Sequence, residues 1–143
     1  MKYIKVAVCD DEENVTEVIS STVKTAFGKR DVAADVETFV SASALLRRMN
    51  DLVFDLLFLD IDMPGMDGIA FGEKLRSGND KTDIIYVSNR EDRVFEALKV
   101  RPFGFVRKSR FLSDVADVIT RYLLSVPARE GHTVTVQSKS GIV

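Results

Sequence analysis

The fold is indicated by three stretches: VAVCDD at residues 6–11, LLFLD at residues 56–60 and IIYVS at residues 84–88. Each contains a short apolar run, as expected for a strand covered on both faces of a parallel sheet. Each run ends in a carboxylate or a hydroxyl. Because ligands of open parallel sheets bind beyond the carboxyl ends of the strands, we expect these polar side chains to share one pocket. A fourth run at residues 103–106 leads to Lys108, which predicts a cation in the same pocket.

Amphipathic helices are predicted between the strands. Apolar residues recur at helical spacing in residues 15–27 and 111–123, and Ser41 suits the N-cap of a shorter helix. A further strand is predicted at residues 32–39. Five strands that alternate with five helices predict an α/β fold, a five-stranded parallel doubly wound sheet with the βα unit repeated five times over residues 1–125.

The composition limits the classes of function. The 143 residues are 45% hydrophobic with a formal net charge of −2, which suits one compact domain and argues against a general polyanion binder. Residues 90–110 contain seven Lys or Arg and three Asp or Glu, which predicts a basic ridge beside an acidic pocket. Cys9 is the single cysteine, so no internal disulfide is expected. No run approaches the ~20 apolar residues of a membrane span, and the first residues do not resemble a secretory signal, so we expect a cytoplasmic protein with no membrane partner.

The residue types at the strand ends predict metal and phosphoryl chemistry. The carboxylates of Asp10, Asp11 and Asp60 would repel one another in one pocket unless a cation lay between them. Mg²⁺ prefers such oxygen ligands together with water and phosphate oxygens. Asp60, which follows the central strand, is best placed to attack phosphorus and form an aspartyl phosphate. Lys108 can neutralise charge on the transferred group, and the Ser88 hydroxyl can donate a hydrogen bond to it.

Residues 1 to about 125 resemble the receiver domain of two-component response regulators, which has a flavodoxin-like fold. The matching motifs are VCDDE at residues 8–12, LDIDMPGMDG at residues 59–68, VS at residues 87–88 and FVRK at residues 105–108. The resemblance implies roles for seven residues: the phosphoacceptor Asp60, the Mg²⁺ ligands Asp10, Asp11, Asp60 and the backbone carbonyl of Asp62, the switch residues Ser88 and Phe105, and the phosphate-binding Lys108.

The same resemblance implies the partners. A sensor histidine kinase would phosphorylate Asp60 with Mg²⁺ as the cofactor. The surface formed by the fourth helix, fifth strand and fifth helix would then change and promote a homodimer. Such a chain is a phosphoacceptor signalling domain and not an enzyme, apart from slow self-catalysed phosphotransfer and dephosphorylation.

A narrower resemblance concerns the output. FEALKVRPF at residues 95–103 is similar to the corresponding segment of regulators with a LytTR-type DNA-binding domain. Residues 127–131 are typical of a linker, and residues 133–137 alternate in the manner of a strand. We therefore expect residues 126–143 to be a linker and the truncated start of a LytTR-type domain. The expected output is transcription regulation, with DNA bound only by the part of that domain that follows Val143.

Three residues distinguish this chain within the receiver pattern. Lys108 is usually followed by proline, commonly through a cis bond, but Ser109 stands here. Because a cis non-proline bond costs ~2.5–4 kcal/mol, either this loop stores strain or Lys108 is presented differently. Asn89 follows Ser88 where a small residue is common, and it could alter the access of hydrolytic water. The Asp62 side chain could tune hydrolysis or merely face solvent.

Two other functions stay open at this point. A receiver-like interaction domain that dimerises without phosphorylation is compatible with Asn89 and Ser109. A phosphatase resembling the haloacid dehalogenase family would use Asp60-Ile61-Asp62 as its DxD motif. In that family, however, the nucleophile normally comes early in the chain and the acidic pair late, which is the reverse of the order here.

Overall fold

The computed structural model describes residues 2–133 and contains one parallel sheet with helices on both faces. The strands are β1 (Tyr3–Cys9), β2 (Ala33–Phe39), β3 (Leu56–Leu59), β4 (Asp83–Ser88) and β5 (Gly104–Arg107), in the spatial order β2-β1-β3-β4-β5. The helices are α1 (Glu13–Gly28), α2 (Ala42–Met49), α3 (Gly68–Ser77), α4 (Val94–Leu98) and α5 (Phe111–Thr133), with 3-10 turns at Glu91–Arg93 and Lys108–Arg110. The predicted doubly wound, flavodoxin-like fold is confirmed.

Strand side chains alternate between two cores, one on each face of the sheet. In β1, Val6 and Val8 pack with α1 and α5, whereas Ala7 and Cys9 pack with α2, α3 and α4. Burial of each medium-sized apolar side chain contributes ~1.5–3 kcal/mol to stability. The four residues of β3 are all buried, which explains why its sequence is continuously apolar.

Local signals in the sequence set the helix boundaries. The Ser41 side chain accepts a hydrogen bond from the backbone N–H of Ala44 at 3.2 Å, which confirms Ser41 as the N-cap of α2. Asp67 caps α3 in the same way, since its Oδ1 atom accepts from Ala70 N–H at 2.8 Å. Arg101, which lies after α4 and before Pro102, has a φ of 57°. This left-handed conformation redirects the chain into β5.

The sheet register brings the polar strand ends to one edge. Cys9 in β1 pairs with Leu59 in β3, so Asp10 and Asp60, which follow them, lie on adjacent strands. Ser88 ends the next strand, β4. The pocket therefore forms at the edge that the three apolar stretches predict.

The Arg76 side chain joins three parts of the framework near the C-terminal end of α3. Its guanidinium donates to the backbone carbonyls of Val100 at 2.7 Å and of Asp80 and Thr82 at 2.9 Å each. The turn after α4 is thereby fixed to α3 and to the start of β4. Burial lowers the pKa of Arg76, but the carbonyl oxygens provide partners for its charge.

The C-terminal helix is longer than the sequence predicts. Val126 is buried at 3% exposure and continues the apolar face of α5, so the helix does not end near residue 125. Residues 127–131, predicted as a linker, instead belong to α5. The predicted strand at residues 133–137 begins at Thr133, which is the last residue of α5. Residues 134–137 lie outside the described residues, and the strand there stays a prediction. Within residues 2–133, no helix combines the length and the apolar character that a membrane crossing requires.

Candidate metal and phosphoryl site

Three carboxylates meet at the edge of the sheet. One ligand oxygen from each of Asp10, Asp11 and Asp60 lies within 4.8 Å of the other two. Asp10 and Asp60 are buried, whereas Asp11 is exposed, so one side of the cluster lies at the surface. The structure thus brings together the three aspartates that the sequence predicts. Such an oxygen cluster suits a hard divalent cation.

Backbone hydrogen bonds hold the two buried aspartates in place. Asp10 N–H donates to the Phe39 carbonyl at 3.1 Å, and Asp60 N–H donates to the Cys9 carbonyl at 2.9 Å. The Asp10 Oδ1 atom also accepts from the backbone N–H of Glu12 at 3.0 Å. These bonds extend the sheet by one residue and direct both carboxylates into the pocket.

Lys108 contacts the cluster directly with its ammonium group. Its Nζ atom lies 2.8 Å from Asp10 Oδ2 and 3.3 Å from Asp60 Oδ2. Burial opposes the charge of Lys108, but its hydrogen bonds and attraction to the two carboxylates hold its pKa above the ordinary value. One ammonium therefore faces two buried carboxylates, and this arrangement retains a net negative charge.

The pKa of Asp60 is raised in this environment. Burial raises its pKa from 3.8 to about 6, and the charge of Asp10 raises it as well. Lys108 and the backbone N–H of Asp62 act in the opposite direction. Asp60 is therefore ionised at neutral pH at a cost in free energy, which a bound cation would reduce.

Cys9 adjoins the cluster without contributing a ligand to it. Burial, reinforced by the charge of Asp10, raises the pKa of its thiol to about 12. Only the thiolate is a strong metal ligand, and it does not form near neutral pH at this site. The Sγ atom lies 3.6 Å from Met63 Sδ, so Cys9 packs as a small apolar side chain.

Ser88 ends β4, and Phe105 lies on the neighbouring strand β5. Ser88 is 2% exposed, and its Oγ atom accepts a hydrogen bond from Arg90 N–H at 3.0 Å. Its own hydroxyl proton can therefore be donated to a group in the pocket. Phe105 pairs with Tyr86 in the register of β4 and β5 and is half-buried against the core that contains α2 and α3.

Two arginines of the predicted basic ridge line the rim, in ion pairs that the sequence does not predict. Arg90 Nη1 lies 3.1 Å from one oxygen of Asp62 and 3.2 Å from the other. Arg93 lies 3.7 Å from Asp62 and 3.2 Å from Asp67. The Asp62 side chain is thus half exposed and paired with cations, and it does not belong to the three-carboxylate cluster. The basic composition of residues 90–110 predicts a ridge but does not identify these pairs.

Ion pairs offset much of the positive charge of the predicted basic ridge. Four of its seven cations contact carboxylates, namely Arg90, Arg93, Arg107 and Lys108. The Arg107 partner is Asp114 in α5, at 2.9 Å. The ridge is therefore largely compensated by acidic partners within the domain.

Asn89 and Ser109, which depart from the receiver pattern, contact each other in the structure. Every peptide bond among the described residues is trans, including that between Lys108 and Ser109, so Lys108 reaches the pocket without a cis bond. Ser109 N–H donates to the Oδ1 atom of Asn89 at 3.0 Å. The sequence makes this bond possible, because serine at position 109 has the backbone N–H that proline lacks.

Gly68 supports the loop that follows Asp60. Its N–H donates to the Ile61 carbonyl at 2.9 Å, and the Tyr86 hydroxyl donates to the Gly68 carbonyl at 2.9 Å. A Cβ atom at this position would collide with the backbone carbonyl oxygen of Asp60. Glycine is therefore required for the close approach of α3 to the site.

Known proteins are similar to this chain in sequence and in architecture. The family model described as the response regulator receiver domain matches residues 6–120. The chain is 30% identical to a protein-glutamate methylesterase/protein-glutamine glutaminase of Rhodopseudomonas palustris, over 97% of this chain and 36% of that protein. It is 31% identical to the glycerol metabolism activator of Pseudomonas putida, over 83% of this chain and 53% of that protein. The chain thus spans about a third to a half of these relatives.

A solved structure agrees with the family assignment. The receiver domain of the Francisella response regulator 1452 superposes with a TM-score of 0.68 at 25% identity, covering 85% of this chain and 98% of that one. The match of the family model covers more than half of the chain and includes the motifs that contain Asp10, Asp60 and Lys108. The chain belongs to the response regulator receiver domain family.

Proposed function

We propose that this chain is a phosphorylation switch in which Asp60 is the phosphoacceptor. The observation that supports this most directly is the contact of Lys108 with both Asp10 and Asp60 inside the three-carboxylate cluster. In this proposal Mg²⁺ is held by Asp10, Asp11, Asp60 and the backbone carbonyl of Asp62. When bound, Mg²⁺ neutralises charge on the carboxylates and on the phosphoryl oxygens.

The phosphodonor is the phosphohistidine of a partner sensor histidine kinase. An oxygen of the Asp60 carboxylate attacks phosphorus, the P–N bond breaks, and its electron pair returns to the imidazole. The product is an aspartyl phosphate. Because its pKa is about 6, Asp60 has the required ionised form at neutral pH. Lys108 then stabilises negative charge on the phosphoryl oxygens.

The response to phosphorylation uses Ser88 and Phe105. The Ser88 hydroxyl donates to a phosphoryl oxygen, and the inward movement of Ser88 makes room for Phe105. The surface of α4, β5 and α5 changes as a result and forms a homodimer. Support for this surface comes from Phe95 and Leu98 of α4, which are 86% and 55% exposed although both are apolar.

The kinase approaches on the side of α1 and α5. A cavity of about 300 Å³ lies there beside Lys108, between Val15 and Val18 of α1 and Phe111 of α5. Val18 is 57% exposed at its rim. An apolar side chain of the kinase can fill this cavity while the phosphohistidine reaches the cluster.

The lifetime of the phosphoryl group is set at the rim. We include Asp62 and Asn89 here as residues that tune hydrolysis. Asp62 is held by Arg90, and Asn89 is held by Ser109, so neither side chain is free to rotate over the pocket without losing a partner. In this proposal the strength of both pairs determines how readily these side chains can act on water that approaches Asp60.

The output is transcription regulation in the cytoplasm through a LytTR-type DNA-binding domain that begins within residues 126–143. The support is the similarity of residues 95–103 to regulators of that type. The relative named as a glycerol metabolism activator is a longer protein, of which this chain spans 53%. In this proposal the receiver contacts no DNA itself.

Labelling with acetyl phosphate and Mg²⁺ tests the assignment of Asp60. The wild type is expected to incorporate phosphate, and Asp60→Asn is expected to incorporate none. Asp51→Asn, which alters an exposed aspartate away from the cluster, is the matched control and should label as the wild type does. Undiminished labelling of Asp60→Asn would contradict the proposal.

The same preparations discriminate the two other functions. Failure of the wild type to bind Mg²⁺ or beryllofluoride would favour an interaction domain that works without phosphorylation. Appreciable turnover of a generic phosphomonoester would favour a haloacid-dehalogenase-like phosphatase. The geometry offers little support for the latter, because the Asp62 carboxylate pairs with Arg90.

A further inference from the structure

The two departures from the receiver pattern, Asn89 and Ser109, contact each other beyond the last register pair of β4 and β5, which joins Ser88 to Arg107. The backbone carbonyl of Asn89 accepts from Glu91 N–H at 3.0 Å. Its side-chain Oδ1 atom accepts from Ser109 N–H, also at 3.0 Å. A side-chain hydrogen bond therefore joins the turn after β4 to the 3-10 turn after β5.

Lys108 lies between two anchors of this kind. On its N-terminal side, Arg107 N–H donates to Asp114 Oδ2 at 3.0 Å. On its C-terminal side, Ser109 N–H donates to Asn89. One anchor comes from α5 and the other from the turn after β4. The backbone of Lys108 is thus held on both sides while its ammonium group reaches the acidic cluster.

We propose that Asn89 is a positioning residue for Lys108 and that it acts through the backbone N–H of Ser109. The inference rests on the proposed function, because Lys108 is positioned for a phosphoryl group on Asp60. Proline at position 109 would have no N–H, and a small residue at position 89 would have no side-chain acceptor. The two departures therefore form one functional unit.

The bond also joins the two segments that contact the phosphoryl group. Asn89 directly follows Ser88, and Ser109 directly follows Lys108. Movement of Ser88 toward the phosphoryl group is therefore transmitted to the segment of Lys108. Holding the hydroxyl and the ammonium in a fixed relation reduces the entropy that is lost when both engage the phosphoryl oxygens.

The affinity for beryllofluoride in the presence of saturating Mg²⁺ tests the proposal. Asn89→Ala is expected to weaken it roughly twofold to tenfold, which is the net effect of one hydrogen bond. The affinity for Mg²⁺ alone should not change, because Asn89 does not contact the three aspartates. Ser113→Ala, which alters a nearby exposed serine whose hydroxyl bonds only within α5 and its preceding turn, is the matched control. Equal beryllofluoride affinity of Asn89→Ala and wild type would overturn the proposal.

A double-mutant cycle separates positioning from a local structural effect. The Asn89→Ala substitution is made in a Ser109→Ala background, which keeps the backbone N–H, and in a Ser109→Pro background, which removes it. Loss of beryllofluoride affinity is expected only in the first. The same loss in both backgrounds would show that Asn89 does not act through Ser109, and would overturn the proposal.

Exchange of the Ser109 amide proton, followed by NMR, tests the bond in the wild-type protein. Exchange is expected to be slowed in the wild type and to become faster in Asn89→Ala, whereas a fully unprotected wild-type amide would refute the bond. Failure of the wild type to bind beryllofluoride would refute the proposed function and the positioning role together. Normal wild-type binding with no effect of Asn89→Ala would refute the positioning role alone.

Discussion

Replacement of Asp60 by asparagine is expected to stabilise the folded protein at neutral pH when divalent cations are absent. Asp60 is 5% exposed and shares Lys108 with the buried Asp10. Its pKa is raised from 3.8 to about 6, chiefly by burial. Each pH unit between these values is worth ~1.4 kcal/mol, so the charge of Asp60 costs the folded state about 3 kcal/mol above pH 6. Asparagine has a similar shape and avoids this cost.

The contribution of Asp60 to the unfolding free energy depends on pH, and its sign follows from the raised pKa. Between about pH 4 and pH 6 the folded state binds more protons at Asp60 than the unfolded state does, so its contribution to the unfolding free energy falls as the pH rises. Below this window the carboxyl is protonated in both states and contributes nothing. The advantage of Asp60→Asn should therefore be small near pH 4 and reach about 1–3 kcal/mol at pH 7.

Urea unfolding followed by circular dichroism in EDTA at several pH values measures this difference. Asp51→Asn is the control, since it removes one exposed charge elsewhere in the chain. Addition of Mg²⁺ should stabilise the wild type more than Asp60→Asn, because a ligand that binds only the folded state adds to its stability. The reasoning is refuted if Asp60→Asn is less stable than the wild type at pH 7, or if its advantage does not shrink on acidification.

Three further outcomes are expected. Lys108→Ala should weaken beryllofluoride binding in the presence of Mg²⁺ on the order of tenfold to a hundredfold, as the loss of a charged hydrogen-bond donor predicts; calorimetry measures this, and an unchanged affinity would contradict it. Glu37 has a pKa lowered to about 2 by its hydrogen bonds to two cationic side chains. Its pairing therefore stabilises the fold above about pH 4.5 and is lost as the pH falls toward 2, so Glu37→Gln should cost about 1–3 kcal/mol in urea unfolding at pH 7 and progressively less on acidification. Gly68→Ala should reduce phosphorylation by acetyl phosphate because its Cβ atom would displace the Asp60 carbonyl. Gly28→Ala, with nothing within 4 Å of the added atom, should leave the rate unchanged, and equal rates for the two variants would refute the close-approach argument.

Much of the fold could be predicted from the sequence because it depends on periodicity. The continuously apolar run of β3 indicates burial on both faces of the sheet, and Ser41 indicates the start of a helix. The end of α5 could not be predicted in the same way. The proline and glycine within residues 127–131 favour a linker locally, whereas packing of Val126 against the core favours continuation of the helix. Tertiary contacts outweigh local signals at such positions.

The candidate site, like the fold, could be predicted only in part from the sequence. Asp10, Asp11 and Asp60 were predictable because chain order places them at the ends of parallel strands. The partners of Arg90 and Asn89 were not, because they depend on how two loops approach each other. Side-chain pairs across loops have no period in the sequence, and only the three-dimensional arrangement reveals them.

The three bonds of Arg76 have a mechanical consequence for α4. They secure Val100, just beyond the C-terminal end of the helix, to the rigid framework. The opposite end begins beside Arg93, whose ion pair with Asp62 reaches the loop that follows the phosphoacceptor strand. The helix is thus tied at one end to the framework through Arg76 and at the other, through Arg93, to the loop that follows β3. A change of charge beside Asp62 would act first on the end of α4 that presents the exposed ring of Phe95.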